Sequence, residues 1–473
     1  MGSTNFINRE EELKFLKDII SKPEFQFIPV WGRRRVGKTR LLTVALSGKG
    51  VYFLATESSA TDIARHFRDE VAAQISDDTF KSIEPDWNKL FSYLAKLGIP
   101  IIIDEFPYLI TSDSSIPSVF QKIIDTSLQG TETKLFLCGS SVRMMESHVL
   151  DYKAPLYGRR TGQLKVDPMK FEALRYFFPD YSFEDLVRAY GACGGIPMYL
   201  LELNPKQSFW QNVESAFFNP HNILYAEADF LLKEEFTSAA TYRSILGHIA
   251  AGKTQLNDIR LAMNAGKSDI SPYLSQLSSV GFVRRELPVT EDPVRSRRGS
   301  YRIADNYLDF HFRYVVPGKG MIESGNPAGV TARVKKDFDA YLGRITEDIV
   351  KEAFMKWSAA QNITWDRTGS WWYGEEEIDL MALSSERNEM LCGEVKWAKK
   401  PLPAKDVRAL MDKSELVRWG TPGRKTSFLI FSRGGFSKGA LSLMEENGII
   451  GWTPEELGRI FWDPQNHVSS CFL

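Results

Sequence analysis

Cysteine and histidine are scarce in this 473-residue chain, at four and six residues. The cysteines, Cys138, Cys193, Cys392 and Cys471, lie far apart without a C-x-x-C pair, which argues against both a disulfide framework and a cysteine-built zinc site. Net charge is nearly absent too: 59 Lys+Arg against 60 Asp+Glu leave a formal -1. Global attraction to nucleic acid is thereby excluded, and any such binding must rest on local basic patches. No apolar run approaches the roughly 20 residues that span a bilayer, and the N-terminus turns polar and charged within nine residues, unlike a signal peptide. Met1-Gly2 begins like a myristoylation start, but Phe6 stands where that pattern needs Ser or Thr. A cytoplasmic protein without membrane attachment is the expectation. With 43% hydrophobic and 25% charged residues the composition is globular, and the length allows about three domains.

What is present is one dense motif. Gly32-Arg33-Arg34-Arg35-Val36-Gly37-Lys38-Thr39 satisfies G-x4-G-K-[ST] between a β-branched and aromatic run at 25 to 31 and a helical run at 39 to 46. A phosphate belongs at such a strand-to-helix turn. Gly32 and Gly37 let the backbone curl so that N–H groups point inward, Lys38 reaches the β- and γ-phosphates, and the Thr39 hydroxyl can ligate Mg2+. ATP and Mg2+ are therefore the expected cofactors, with Arg35 and Arg40 counted among the nucleotide-binding residues.

The first 150 residues alternate between strand and helix periods. Strands are expected at 25 to 31, 50 to 55, 99 to 104 and 134 to 139, with helices around 61 to 75, 87 to 97 and 117 to 128. That is the pattern of an α/β domain with a parallel sheet. Asn8 with Glu11 reads as a capping box for a helix before the first strand. The third strand ends in Asp104-Glu105, at the carboxyl edge where ligands bind in such folds. Asp104 suits the Mg2+ shell, and Glu105 suits the polarising of an attacking water. The next strand ends in Ser140-Ser141, where a hydroxyl can touch the γ-phosphate or the water, and Arg159-Arg160 offers charge for a transferring phosphoryl group.

Taken together, Phe6-Ile7-Asn8-Arg9-Glu10-Glu11-Glu12-Leu13, the glycine loop, Ile103-Asp104-Glu105, the Gly-Ser-Ser turn, Pro155-Leu156-Tyr157-Gly158-Arg159-Arg160 and Gly194-Gly195-Ile196-Pro197-Met198-Tyr199-Leu200 resemble the archaeal-type ATPases. These form a STAND branch of P-loop proteins related to AAA+ ATPases. The resemblance implies a small helical lid after the sheet and places Pro197 near adenine. This sequence departs from the pattern in having no arginine in that turn of the kind many AAA+ lids use for signalling from lid to phosphate.

From Tyr242 onward the chain resembles a winged helix-turn-helix, with 270 to 277 in the recognition helix, Lys267 at its start, and a wing beginning at Gly281. The turn Arg295-Ser296-Arg297-Arg298 fits a phosphate-contacting wing, although the recognition helix is poor in basic side chains. Residues 317 to 330, rich in Gly and Pro, read as a linker. Beyond it, a helix at about 335 to 357 precedes strands near 362 to 366, 377 to 383 and 389 to 397, a helix near 403 to 418 and a strand at 427 to 432. Asp379 lies on one strand, and Glu394 and Lys396 share a face of the next. Two carboxylates and an amine at one sheet edge can bind Mg2+ and position a water for phosphodiester hydrolysis. The arrangement resembles the PD-(D/E)xK nuclease core, in which Glu347 would be an added helical acid.

The expected fold class is thus α/β: a P-loop NTPase parallel sheet over 1–165, a helical lid over 166–238, a winged helix-turn-helix over 239–316 and a smaller restriction-endonuclease-like domain over 331–473. Two functions follow. The chain is either an ATPase coupling turnover to DNA binding or metal-dependent cleavage, or a nucleotide-driven switch whose last domain binds a partner or nucleic acid without cutting. Partners on this reading are ATP, DNA and a second copy of the chain.

Overall fold

The structure is a computed structural model that describes residues 8–264, 269–296 and 298–463. Phe6, Ile7, Lys267, Arg297 and Cys471 lie outside the described residues. The chain divides into two compact units, the first comprising Met1–Met169 with Ile196–Met198, the second Lys170–Gly195 with Tyr199–Leu473. No helix among the described residues is long and apolar enough to cross a membrane.

The first unit is built on five parallel strands: β1 Gln26–Trp31, β2 Val51–Leu54, β3 Pro100–Asp104, β4 Lys134–Gly139 and β5 Leu164–Lys165. They run in the order β2-β3-β4-β1-β5. The central strands β1 and β4 are buried throughout, as expected of a sheet covered on both faces. One cover is aromatic. Phe67 on the helix Ala60–Ile75 packs against Phe53, Trp87 and Phe91, and Phe120 packs against Phe91 and Phe106, with ring centroids 5.0–5.6 Å apart. Each such ring pair adds about 1 kcal/mol beyond its area burial.

The flanking helices carry their own start and stop signals. Trp87, Leu90, Phe91 and Leu94 recur at helical spacing along Trp87–Leu97; the Asp86 carboxylate caps its N-terminus and Gly98, at φ 62°, ends it. The first helix departs from expectation. It begins at Glu10, its N-cap is Arg9 with no side-chain cap bond, and Asn8 lies one residue too early at φ 54°. The Asn8–Glu11 capping box therefore does not form. The Arg9 guanidinium instead folds inward, donating to the Glu12 carboxylate at 2.6 Å, the Asp167 carbonyl at 2.6 Å and the Val36 carbonyl at 3.3 Å.

The second unit starts with helices, including Phe183–Cys193 and Ile223–Glu235. Three further helices, Ala239–Ala250, Leu256–Ala262 and Ser271–Ser279, lead into an antiparallel hairpin of β6 Val283–Glu286 and β7 Ser300–Ile303. A mixed sheet follows, formed by β8 Arg367–Tyr373, β9 Glu376–Ser384, β10 Glu389–Lys396, β11 Lys425–Ser432 and β12 Ile450–Trp452, in the order β12-β11-β10-β9-β8. Strand β9 is antiparallel to both β8 and β10, while β10, β11 and β12 run parallel to one another.

Two expectations fail here for stated physical reasons. The expected linker is helical, with Val316–Glu323 and then Pro327–Ala360 separated by a turn of three residues. Pro327 begins its helix, where the missing N–H costs nothing, and Pro317 follows directly on the π-helical turn His311–Val315, within a continuous helical run. Gly318 is a close-approach site, since a Cβ there would lie 2.8 Å from Val330. The strand expected at 362 to 366 lies instead at Arg367–Tyr373. Asn362 turns left-handed at φ 56°, and the Ile363 amide donates to the Ser358 carbonyl at 2.8 Å, so these residues close the long helix.

Candidate functional site

The sheet order brings the carboxyl ends of β1, β3 and β4 together on adjacent strands. From these ends project the glycine loop, Asp104 with Glu105, and Ser140. The loop needs its glycines. At Gly32, φ is 150° and a Cβ would lie 2.2 Å from the Val166 carbonyl oxygen; at Gly37, φ is 94° with open space around the missing Cβ. Arg35 also takes a positive φ of 69°, so the backbone curls between the two. This open, inward-turned cradle fits a phosphate group.

Lys38 opens the helix Lys38–Leu46 and lies buried, donating to the Gly32 carbonyl at 2.8 Å and the Arg33 carbonyl at 3.0 Å. Burial lowers its pKa, opposed by the charges around it, including Glu105 and Asp104. The next residue, Thr39, donates its hydroxyl to Asp104 Oδ2 at 2.6 Å, which leaves the lone pairs of Thr39 Oγ1 for a cation. Asp104 is 1% exposed and takes two more bonds, from the Tyr52 hydroxyl to Oδ2 at 3.0 Å and from the Glu105 amide to Oδ1 at 2.9 Å. These groups fit a Mg2+·nucleotide: a hydroxyl ligand, a carboxylate behind it and a buried ammonium beside both.

Glu105 departs from the ideal backbone at φ 53°. Its carboxylate is held by Ser140, whose hydroxyl lies 2.7 Å from both oxygens and whose amide donates to Oε2 at 3.3 Å. Ser140 thus binds the glutamate here, a pairing that the sequence does not announce. Arg40 is exposed one residue beyond Thr39. Arg159 makes a two-pronged bond to Asp125 at 3.0 and 3.2 Å, which raises its pKa, and Arg160 donates to Gln163 at 2.6 Å. Pro197 begins the helix Pro197–Leu201, and the segment Ile196–Met198 counts with the first unit although its flanks belong to the second.

A second acidic site lies in the second unit. The pairing of Gly393 with Leu380 carries β10 onward so that Glu394 comes level with Asp379, and the Val395 amide donates to Asp379 Oδ2 at 2.8 Å. Lys396 bonds Glu394 Oε1, and Lys413, which the sequence reading missed, lies 3.6 Å from Oε2. That Oε2 is buried and accepts no hydrogen bond, with the Lys413 ammonium as its ion-pair partner, so it keeps acceptor capacity that fits a cation. Burial, then the neighbouring Glu394 charge, raises the Asp379 pKa to about 6. Burial, then Asp379, raises Glu347 to about 7. Glu347 is nonetheless engaged from the hairpin: Arg302 on β7 lies 2.7 Å from Glu286, 3.4 Å from Glu347 and 3.6 Å from Glu377. Among the described residues no three His, Cys, Asp or Glu side chains converge closely enough to hold a metal ion.

Two family models match the chain. One, an ATPase domain predominantly from Archaea, covers residues 6–203, and the other, described as archaeal and bacterial proteins of unknown function, covers residues 311–410. An uncharacterized protein of Methanocaldococcus jannaschii, MJECL04, is 40% identical over 419 residues, spanning 87% of this chain and 92% of its own length. An uncharacterized ATP-binding protein of the same organism, MJ0423, is 42% identical over 50 residues, which is 11% of this chain and 85% of its own. Among solved structures, the Walker-type ATPase PABY2304 of Pyrococcus abyssi superposes with a TM-score of 0.51 at 20% identity, covering 66% of this chain and 97% of that one. That likeness shows a shared fold. With its P-loop sheet and a relative matched over most of both chains, the protein belongs to the archaeal ATPase family.

Proposed function

We propose that the first unit hydrolyses ATP, with Lys38 and the loop amides on the phosphates, Thr39 and Asp104 on the metal side, and Glu105 polarising the attacking water. The observation that carries this is the Thr39–Asp104 bond of 2.6 Å, with Glu105 next in the chain and oriented by Ser140. A Mg2+ ion, when bound, would neutralise charge developing on the β- and γ-phosphate oxygens. Within that frame each protein group has a task. Lys38 already donates to loop carbonyls, so it exchanges those bonds for phosphate oxygens without crossing the site. Asp104 keeps the Thr39 hydroxyl proton directed away from the metal face. Glu105 must leave Ser140 or share it, since both its oxygens are engaged. Arg35 and Arg40 border the loop, Pro197 lies toward the base, and Arg159 or Arg160 reaches the phosphates only after releasing Asp125 or Gln163. Replacing Lys38 with Ala is expected to abolish nucleotide binding in a fluorescent-nucleotide titration; retained binding would overturn this site.

For the second unit we propose a winged helix-turn-helix over 239–316 followed by a metal-dependent nuclease-like domain over 331–473, acting on DNA. The order of three helices and a hairpin, and the convergence of Asp379, Glu394 and Lys396, support it. Arg295 and Arg298 in the hairpin connection are largely exposed, as phosphate contacts require. Asp379 and Glu394 would hold the metal, Glu347 could join them only by moving, since no three acids converge among the described residues, and Lys396 would stabilise charge on the scissile phosphate. One observation favours a non-cutting nucleotide switch: the acids are already matched by cations, Glu347 by Arg302 and Glu394 by Lys396 and Lys413. Incubating the protein with plasmid and single-stranded DNA and Mn2+ or Mg2+ separates the two. Cleavage that disappears in Glu394→Ala is expected of the nuclease, whereas cleavage undiminished in that variant, or none in the parent, removes it.

A further inference from the structure

The edge strand of the first sheet contributes a side chain to the candidate metal site that the nucleotide motifs do not contain. On β2, Val51 and Phe53 are buried in the aromatic core, so by strand alternation Tyr52 faces the opposite side of the sheet. Its hydroxyl donates to Asp104 Oδ2 at 3.0 Å, the same oxygen that accepts the Thr39 hydroxyl at 2.6 Å. The position is secured at the backbone as well. An edge strand leaves an unpaired N–H and C=O, and the Gln74 amide fills both at Tyr52, accepting from its N–H at 2.9 Å and donating to its carbonyl at 2.7 Å. Gln74 lies near the end of the helix Ala60–Ile75, so that helix fixes where the tyrosine stands.

Asp104 accepts from Thr39 and Tyr52 on Oδ2 and from the Glu105 amide on Oδ1. With three donors the carboxylate cannot turn about its last bond without losing one of them. Its fixed plane in turn fixes the Thr39 proton, and hence the direction of the Thr39 lone pairs. We propose that Tyr52 is a positioning residue for the divalent cation, holding Asp104 so that Thr39 presents a ready-made ligand. The proposal rests on the nucleotide reading of the first unit and goes beyond it, because no residue of the loop or the β3 acids predicts a tyrosine there. A ring at this half-buried place without its hydroxyl keeps the packing and loses only the donor.

The test is Tyr52→Phe, read as nucleotide binding titrated with Mg2+ and, separately, Mn2+ binding by electron paramagnetic resonance in the presence of ADP. The expected result is about a tenfold rise in the Mg2+ concentration at half-saturation, the worth of one hydrogen bond to a charged group. Nucleotide binding in EDTA should keep its parental affinity, and the deficit should vanish at saturating Mg2+. Gln74→Ala, which removes the backbone support and leaves the hydroxyl, is expected to shift the same curve less. An unchanged Mg2+ midpoint in Tyr52→Phe overturns the proposal, and so does an equal loss of affinity with and without Mg2+. The Lys38→Ala variant in the same titration keeps the two readings apart: binding that survives there contradicts the nucleotide site itself, whatever Tyr52 does.

Discussion

His311 is expected to make the second unit acid-sensitive. It opens the π-helical turn His311–Val315, is 0% exposed, and has neither ring nitrogen hydrogen-bonded. Burial, aided by the charges of Lys319 and Arg243 and opposed by Asp229, lowers its pKa from 6.5 to about 3. The folded state therefore keeps this imidazole neutral where the unfolded chain would protonate it. With a folded pKa below the unfolded one, stability rises with pH through the window from 3 to 6.5 and is lost as pH falls below 6.5. Moving from pH 7 to pH 5 spans about 1.5 units of that window, worth about 2 kcal/mol at 1.36 kcal/mol per unit. Nearby Asp309, raised to about 6 by burial, acts in the opposite direction, so the parent alone does not isolate the effect. Comparison with His311→Leu does. Urea unfolding followed by tryptophan fluorescence suits the purpose, because of the 11 tryptophans only Trp31 and Trp87 lie in the first unit. The parent's stability minus the variant's should fall by about 2 kcal/mol from pH 7 to pH 5. Parallel pH profiles for the two proteins would refute the buried, neutral histidine.

Two further outcomes follow from packing and charge. Gly32→Ala places a Cβ 2.2 Å from the Val166 carbonyl at a positive φ, so it should destabilise the first unit by about 2–4 kcal/mol and weaken nucleotide binding, both measurable by thermal unfolding with and without ADP. Arg302→Ala removes this partner from Glu347 and Glu377 and leaves Glu286 with Arg284, and should lower the urea stability of the second unit by about 3 kcal/mol, whereas a loss under about 1 kcal/mol would mean the cluster is solvated.

The nucleotide-binding half was legible because its chemistry is local. The spacing from Gly32 to Thr39 is itself the loop, and runs such as Ile101-Ile102-Ile103 announce strands buried on both faces. Contacts between distant residues were not legible. Tyr52 reaches Asp104 across 52 positions, Arg9 reaches Asp167 across 158, and Ser140 clasps Glu105 across 35, with no periodic pattern to mark any of them. The linker reading fails because it treats Gly and Pro as breakers. In the fold Pro327 starts a helix, Pro317 sits just past a π-helical turn, and Gly318 makes room for a crossing. On the mixed sheet, Asp379, Glu394 and Lys396 were found from alternation, but Lys413 was invisible because it arrives from the helix Ala404–Glu415. The strand β12 and the helices Lys438–Glu446 and Pro454–Trp462 lie beyond the last element expected from the sequence.

Hydrolysis of ATP in the first unit requires Glu105 to polarise the attacking water. Single-turnover hydrolysis of labelled ATP by Glu105→Gln, beside the parent protein at matched nucleotide occupancy, tests it most directly. Unchanged binding with hydrolysis slowed by about 100-fold or more is the predicted result. Hydrolysis at the parental rate would contradict the account.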